Sequence, residues 1–157
     1  MKLPIKLILC ITVCLGLGFL SGYYAGSADT EWYRTLTKPS FQPPPWLFGP
    51  VWTVLYVMIG VSVALIWDDK TASSGQRSTA LMLFLFQFVL NLIWSPVFFT
   101  MHALTGALII TVNLIFMIVL TMRAFGKINK TAQYLLLPYL FWVCFATVLN
   151  GAIVYLN

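Results

Sequence analysis

Five stretches of this chain, about 5–26, 46–67, 80–100, 104–124 and 131–156, are each long and apolar enough to cross a bilayer, and together they nearly exhaust its 157 residues. A soluble domain carries roughly a quarter of its residues charged. Here 8% are charged, 61% are hydrophobic and the mean hydropathy is +0.91. The backbone of each stretch must satisfy its own polar groups within the membrane, so helices are required. The fold class expected is an all-α integral membrane protein, one domain over 1–157, built as a five-helix transmembrane bundle.

Charge sets the orientation. With five spans, the amino terminus shares a side with the second and fourth loops, and that side holds Lys2, Lys6, Lys70, Arg77, Arg123, Lys127 and Lys130. Arg34 and Lys38 lie opposite. Positive residues favour the cytoplasm, which puts the amino terminus inside and the first loop outside. The net charge of +5 follows this bias, and no nucleic-acid footprint is present. The first segment is expected to remain as a span. Its apolar run exceeds a signal-peptide core, and Cys10, Cys14, Gly18, Gly22 and Gly26 repeat every four residues as a stripe on which another helix can pack closely. A signal peptide cleaved near Ala25-Gly26-Ser27-Ala28 has no need of such a stripe. The stripe serves either packing within one subunit or a dimer contact.

The first loop, about 27–45, is the one connection long enough to have a shape of its own. Five of the eight prolines fall between Pro39 and Pro50, in KPSFQPPPWLFGPVWTVLY. Pro43-Pro44-Pro45 favours a stiff polyproline II segment. It reads either as a lid over the outer helix ends, with Phe41, Trp46 and Phe48 as apolar anchors, or as a spacer that sets the angle of the second span. The second loop, DDKTASSGQRST, reads as a solvated polar turn.

All four acidic residues, Asp29, Glu31, Asp68 and Asp69, sit in loops, and no ionisable residue lies mid-span. Ion-coupled pumps, voltage sensors and midplane acid–base enzymes place such groups there. His102, the single histidine, falls in a tight turn without acidic neighbours and reads as a solvated turn residue. Cys10, Cys14 and Cys144 offer no metal or disulfide spacing. Uncharged polar groups do enter the spans. Gln87, Asn91 and Ser95 share one helical face, which must look inward, either bonding to neighbouring helices or lining a cavity. Trp142, Ala146 and Leu149 or Asn150 share a face of the last span, and Trp52 and Tyr56 one of the second. Trp32 and Trp67 fit an interfacial aromatic belt.

The runs WYRTLTKPSFQPPPWLFGPVWTVLY, NLIWSPVFF and WVCFATVLN, in this order, resemble the tryptophan-rich sensory protein family (TspO/MBR), which includes the mitochondrial translocator protein, or peripheral-type benzodiazepine receptor. The resemblance covers nearly the whole chain. It implies a multi-pass protein of a bacterial cell membrane, commonly a homodimer. It further implies a pocket under the first loop for tetrapyrroles such as protoporphyrin IX or haem, and for benzodiazepine-site ligands such as PK11195. Carried onto matching positions, the pocket comprises Tyr33, Pro43, Trp52, Tyr56, Asn91, Ser95, Trp142, Ala146 and Leu149. The porphyrin is then a ligand, and no metal or covalent cofactor is expected. Phe41 stands where many members carry tryptophan. The sterol motif of animal members needs a basic residue after Tyr155, which only Leu156 and Asn157 follow; a reversed version matches Lys130, Tyr134 and Leu136. Sterol recognition is therefore not expected. Three functions stay open: a tetrapyrrole receptor or sensor, light-dependent porphyrin degradation with Trp52 and Trp142 as electron donors, and a transporter of porphyrins or other hydrophobic molecules.

Overall fold

The computed structural model describes residues 2–25 and 30–157, and among these it is all helical. Residues 26–29, which include Gly26 of the stripe, most of the small-residue cleavage motif and Asp29, lie outside the described residues. The helices are α1 (Leu3–Ala25), α2 (Glu31–Thr35), α3 (Phe48–Asp68), α4 (Ser74–Ser95), α5 (Leu104–Gly126), α6 (Lys130–Leu135) and α7 (Leu137–Leu156). A 3₁₀ turn, Pro45–Leu47, leads into α3, and a π-helical turn, Pro96–Thr100, follows α4. Five units are long and apolar enough to span a membrane: α1, Pro45–Asp68, Ser74–Thr100, α5 and Lys130–Leu156. The protein is a multi-pass integral membrane protein.

Boundaries differ from the sequence reading where side chains cap a helix. The third span begins at Ser74 rather than near 80, because Ser73 and Gln76 form a reciprocal capping box. Much of the polar second loop is therefore the first turns of α4. What remains is a tight turn in which Asp69 accepts hydrogen bonds from the Thr71 hydroxyl and from the Thr71 and Ala72 amides. Those bonds, the hydroxyl's foremost, hold its carboxyl below the usual range. The fifth span breaks at Leu136, since Pro138 cannot bond to the carbonyl four residues back and sits in the first turn of α7.

The first span packs mainly on the second. Cys10, Cys14 and Gly18 are buried along it. A methyl group at Gly60 would stand 2.6 Å from the Ile11 Cα, and one at Gly18 would stand 2.2 Å from the Tyr56 ring. Cys10, Cys14 and Gly18 of the small-residue stripe are thereby used in packing within the subunit, whereas nothing lies within 4 Å of a methyl built at Gly22. Lys6 closes the amino-terminal end of the first span through an ion pair with Asp68 at 3.0 Å, and its ammonium lies 5.4 Å from the centre of the Trp67 ring. Ser62, fully buried in α3, donates to the Ala132 carbonyl at 2.7 Å and ties the second span to the fifth.

The outer half of the first span takes another partner. Pro96 has no N–H, so the Leu92 carbonyl one turn earlier lacks its helical donor, and the Ser21 hydroxyl fills that place from α1. Nearer the surface, the Thr100 hydroxyl donates to the Ala25 carbonyl at 2.9 Å. The first span thus leans on α3 at its inner end and on the third span at its outer end.

Close backbone approach at Gly60 is directly testable. Gly60→Ala should destabilise the detergent-solubilised protein by about 1–3 kcal/mol, through overpacking against the Ile11 backbone. Gly16→Ala, with nothing within 4 Å of the added methyl, should be neutral or slightly stabilising. Thermal unfolding of the two variants separates these outcomes.

Candidate functional site

The divergence of the first span opens a cavity of about 820 Å³ in the outer half of the bundle. Its walls come from α1, α3, α4 with the π-turn, and α7, and its roof from Tyr33 of α2. That volume falls within the range of small-molecule sites. Among the described residues no charged side chain lines it, and the lining holds no His, Cys or Met.

The floor is the Tyr56–Asn91 pair. The Tyr56 hydroxyl donates to Asn91 Oδ1 at 2.8 Å, and the ring passes over Gly18, stacks on Trp52 at 5.3 Å and meets Phe88 edge-on at 6.2 Å. One turn deeper the Tyr139 hydroxyl donates to Gln87 Oε1 at 2.8 Å. The polar face of the third span therefore divides. Gln87 bonds helix to helix outside the cavity, Asn91 does so while lining it, and Ser95 lines it.

The far wall is Ala146, Leu149, Asn150 and Ile153 of α7. Asn150 is buried, receives the Trp94 indole N–H at 3.3 Å and donates to the Leu104 carbonyl at 3.1 Å. This one amide joins the third, fourth and fifth spans and holds the wall in place.

The roof is aromatic. Thr30 caps α2 by accepting from the Tyr33 amide. Tyr33 is 4% exposed and packs against Phe98 and Phe99, with ring centres 6.0 and 5.5 Å away. Burial raises its phenol pKa, so it stays neutral. Trp32 stacks on His102 at 3.9 Å. His102 sits in the turn at φ 54°, a left-handed conformation that aims its ring back at the loop. Farther on, Asn157 grips the Thr37 backbone, accepting from its amide at 2.9 Å and donating to its carbonyl at 3.0 Å. Pro44 holds polyproline II angles, φ −60° and ψ 141°.

Of the residues expected in the pocket, Tyr33, Trp52, Tyr56, Asn91, Ser95, Ala146 and Leu149 line this one cavity, whereas Pro43 and Trp142 do not. Trp142 lies one ring behind the wall, packed on Phe48 at 5.8 Å and Phe145 at 5.5 Å, so that Phe48 rather than the indole meets the space. The expected anchors of the loop also sort differently. Phe48 lines the cavity, Phe41 meets Phe145 only at 6.5 Å, and Trp46 is 70% exposed, while Trp32 and Tyr33 do the anchoring. Asn150, named with Leu149 on the inward face of the last span, lines the cavity beside it. Sequence reasoning missed Trp94 and Phe98, although the helical period from Asn91 reaches both. It also missed the wall from the first span, Thr12, Gly16, Phe19, Gly22 and Tyr23, whose residue types carry no chemical signal.

Residues 10–156 match the TspO/MBR family. The chain belongs to the TspO/MBR family. It is 42% identical to the tryptophan-rich protein TspO of Chlorobaculum tepidum, covering 99% of this chain and 98% of that one. The TspO of Archaeoglobus fulgidus is 36% identical, over 98% of this chain and 97% of its own. The Bos taurus translocator protein is 34% identical, over 85% and 79%. The Chlorobaculum tepidum relative agrees with the bacterial source that the resemblance implies.

The Tyr56–Asn91 bond should couple the two residues energetically. A double-mutant cycle of Tyr56→Phe and Asn91→Leu, read by denaturant unfolding in mixed micelles, should return about 0.6–2 kcal/mol of interaction. Additive effects of the two substitutions would mean that the bond contributes nothing to holding the floor.

Proposed function

We propose that this protein is a membrane receptor or sensor that binds tetrapyrroles, such as protoporphyrin IX or haem, in the cavity beneath Tyr33. Benzodiazepine-site ligands such as PK11195 would occupy the same space. The observation that carries the reading is a neutral cavity of about 820 Å³, with the stacked rings of Trp52 and Tyr56 on one side and the small Ala146 beside Leu149 on the other. A flat π-system suits aromatic faces opposed to a shallow apolar wall. Haem would be held mainly by its ring, since the described lining offers its iron no His, Cys or Met, and only the phenols of Tyr23, Tyr33 and Tyr56 as candidate ligands. The family and the names of the relatives, tryptophan-rich protein TspO and translocator protein, support a sensor or receptor role at the membrane.

Carboxylate groups on such a ligand would seek the outer rim, because burial of an unpaired charge among these walls is costly. Lys38 stands there, its ammonium 4.8 Å from the centre of the Tyr33 ring.

A second reading, light-dependent degradation of the bound porphyrin, is favoured by the same stack. Trp52 lines the cavity 5.3 Å from Tyr56, and both rings are oxidisable donors beside a ligand that absorbs light. Trp142 lies farther off, behind Phe48. Illuminating bound porphyrin should then bleach it faster with the wild type than with Trp52→Phe, and equal courses would remove this reading.

Fluorescence titration with protoporphyrin IX tests the binding site. Trp52→Phe should weaken binding about two- to tenfold, the size of one aromatic contact. Ala146→Trp, which fills the space, should weaken it more, and Trp142→Phe less than either. Equal affinities across all three variants would place the porphyrin elsewhere.

A further inference from the structure

We propose that this cavity fills and empties sideways, through a slit between the outer halves of the first and second spans, so that its ligand arrives dissolved in the bilayer. The inference rests on the cavity being the binding site and adds the route and the physical state of what it binds.

Three observations carry it. The first span is fastened to different neighbours at its two ends. Ile11 lies against Gly60 and Gly18 against Tyr56 on the inner side, whereas Ser21 and Ala25 are bonded to Leu92 and Thr100 of the third span on the outer side. A helix so held leaves its inner partner as it rises, and the gap opens beside α3. The edges of that gap are cavity-lining residues that are themselves exposed: Gly16, Phe19 and Tyr23 on α1, with Gly49 and Thr53 on α3. Phe19 and Tyr23 are 72% and 71% exposed. Nothing lies within 4 Å of a methyl built at Gly16, Gly22 or Gly49.

The slit is also chemically suited to lipid. Its edges carry no charge, and the Thr53 hydroxyl is satisfied by the Gly49 carbonyl at 2.8 Å. The aqueous side is the closed one. Tyr33 is nearly buried, Phe98 beneath it is 2% exposed, and the loop is latched to the end of α7 by the two Thr37–Asn157 bonds. An apolar ligand that partitions into the membrane meets an open side and a shut top.

The test measures exchange rates of protoporphyrin IX in proteoliposomes of neutral lipid, by stopped-flow quenching of tryptophan fluorescence. Gly16→Phe and Gly49→Phe each put a ring into open space at the slit and should slow both association and dissociation tenfold or more. A locked lid is the counterpart. Thr37→Cys and Asn157→Cys, joined by a short bis-maleimide in a Cys144→Ser background, should leave both rates within twofold of the unlinked protein. Slowing by the locked lid overturns the proposal, as do unchanged rates in both slit variants. If the wild type binds no porphyrin, the proposed function falls and takes the route with it.

Discussion

The Tyr56 side chain is the point on which the architecture turns. Its ring occupies the space that Gly18 leaves on the first span, and its hydroxyl reaches Asn91 on the third. In hydrocarbon an unpaired amide is costly, so Asn91 requires that donor, and the donor requires a glycine beside it. Three spans are thereby fixed at one depth. Above this level the first span is free to follow Leu92 and Thr100 rather than α3, and the cavity is the volume left behind.

Strength of packing and emptiness are distributed along the same helices. The inner half of the bundle holds tightly packed buried side chains such as Ile59, Ile118, Phe125 and Leu136, with Ser62 and the Lys6–Asp68 pair as its ties. The outer half is framed by hydrogen bonds at its edges, at Asn150, Ser21, Thr100 and Asn157, with aromatic rings between them. A site that must admit a large flat molecule needs a frame that keeps its shape without filling its centre. Polar contacts placed at the rim of the cavity do that.

The fold was legible because a bilayer leaves few choices. Five apolar lengths and a charge bias suffice for five helices, and only capping by Ser73 and the break at Pro138 moved their ends. The inward faces were legible for the same reason, since Asn91, Ser95, Ala146 and Leu149 follow helical spacing. Trp142 shows where spacing stops informing. It shares a face with Ala146, yet Ala146 meets the space while Trp142, one turn away, packs against Phe48 instead. The service of Ser21 to the Leu92 carbonyl could not be read either, because it depends on the register of two helices 71 residues apart in sequence. The glycines of the first span announced close packing, not the cavity wall that Gly16 and Gly22 form with Thr12.

Whether a tetrapyrrole lies in this cavity is decided by a structure of the protein with protoporphyrin IX bound in lipid. The expected result is a flat ligand between the Trp52–Tyr56 stack and the Ala146–Leu149 wall, under Tyr33, with its carboxylates towards Lys38. A porphyrin seated on the outer surface of the bundle, with the cavity holding lipid or nothing, would contradict it.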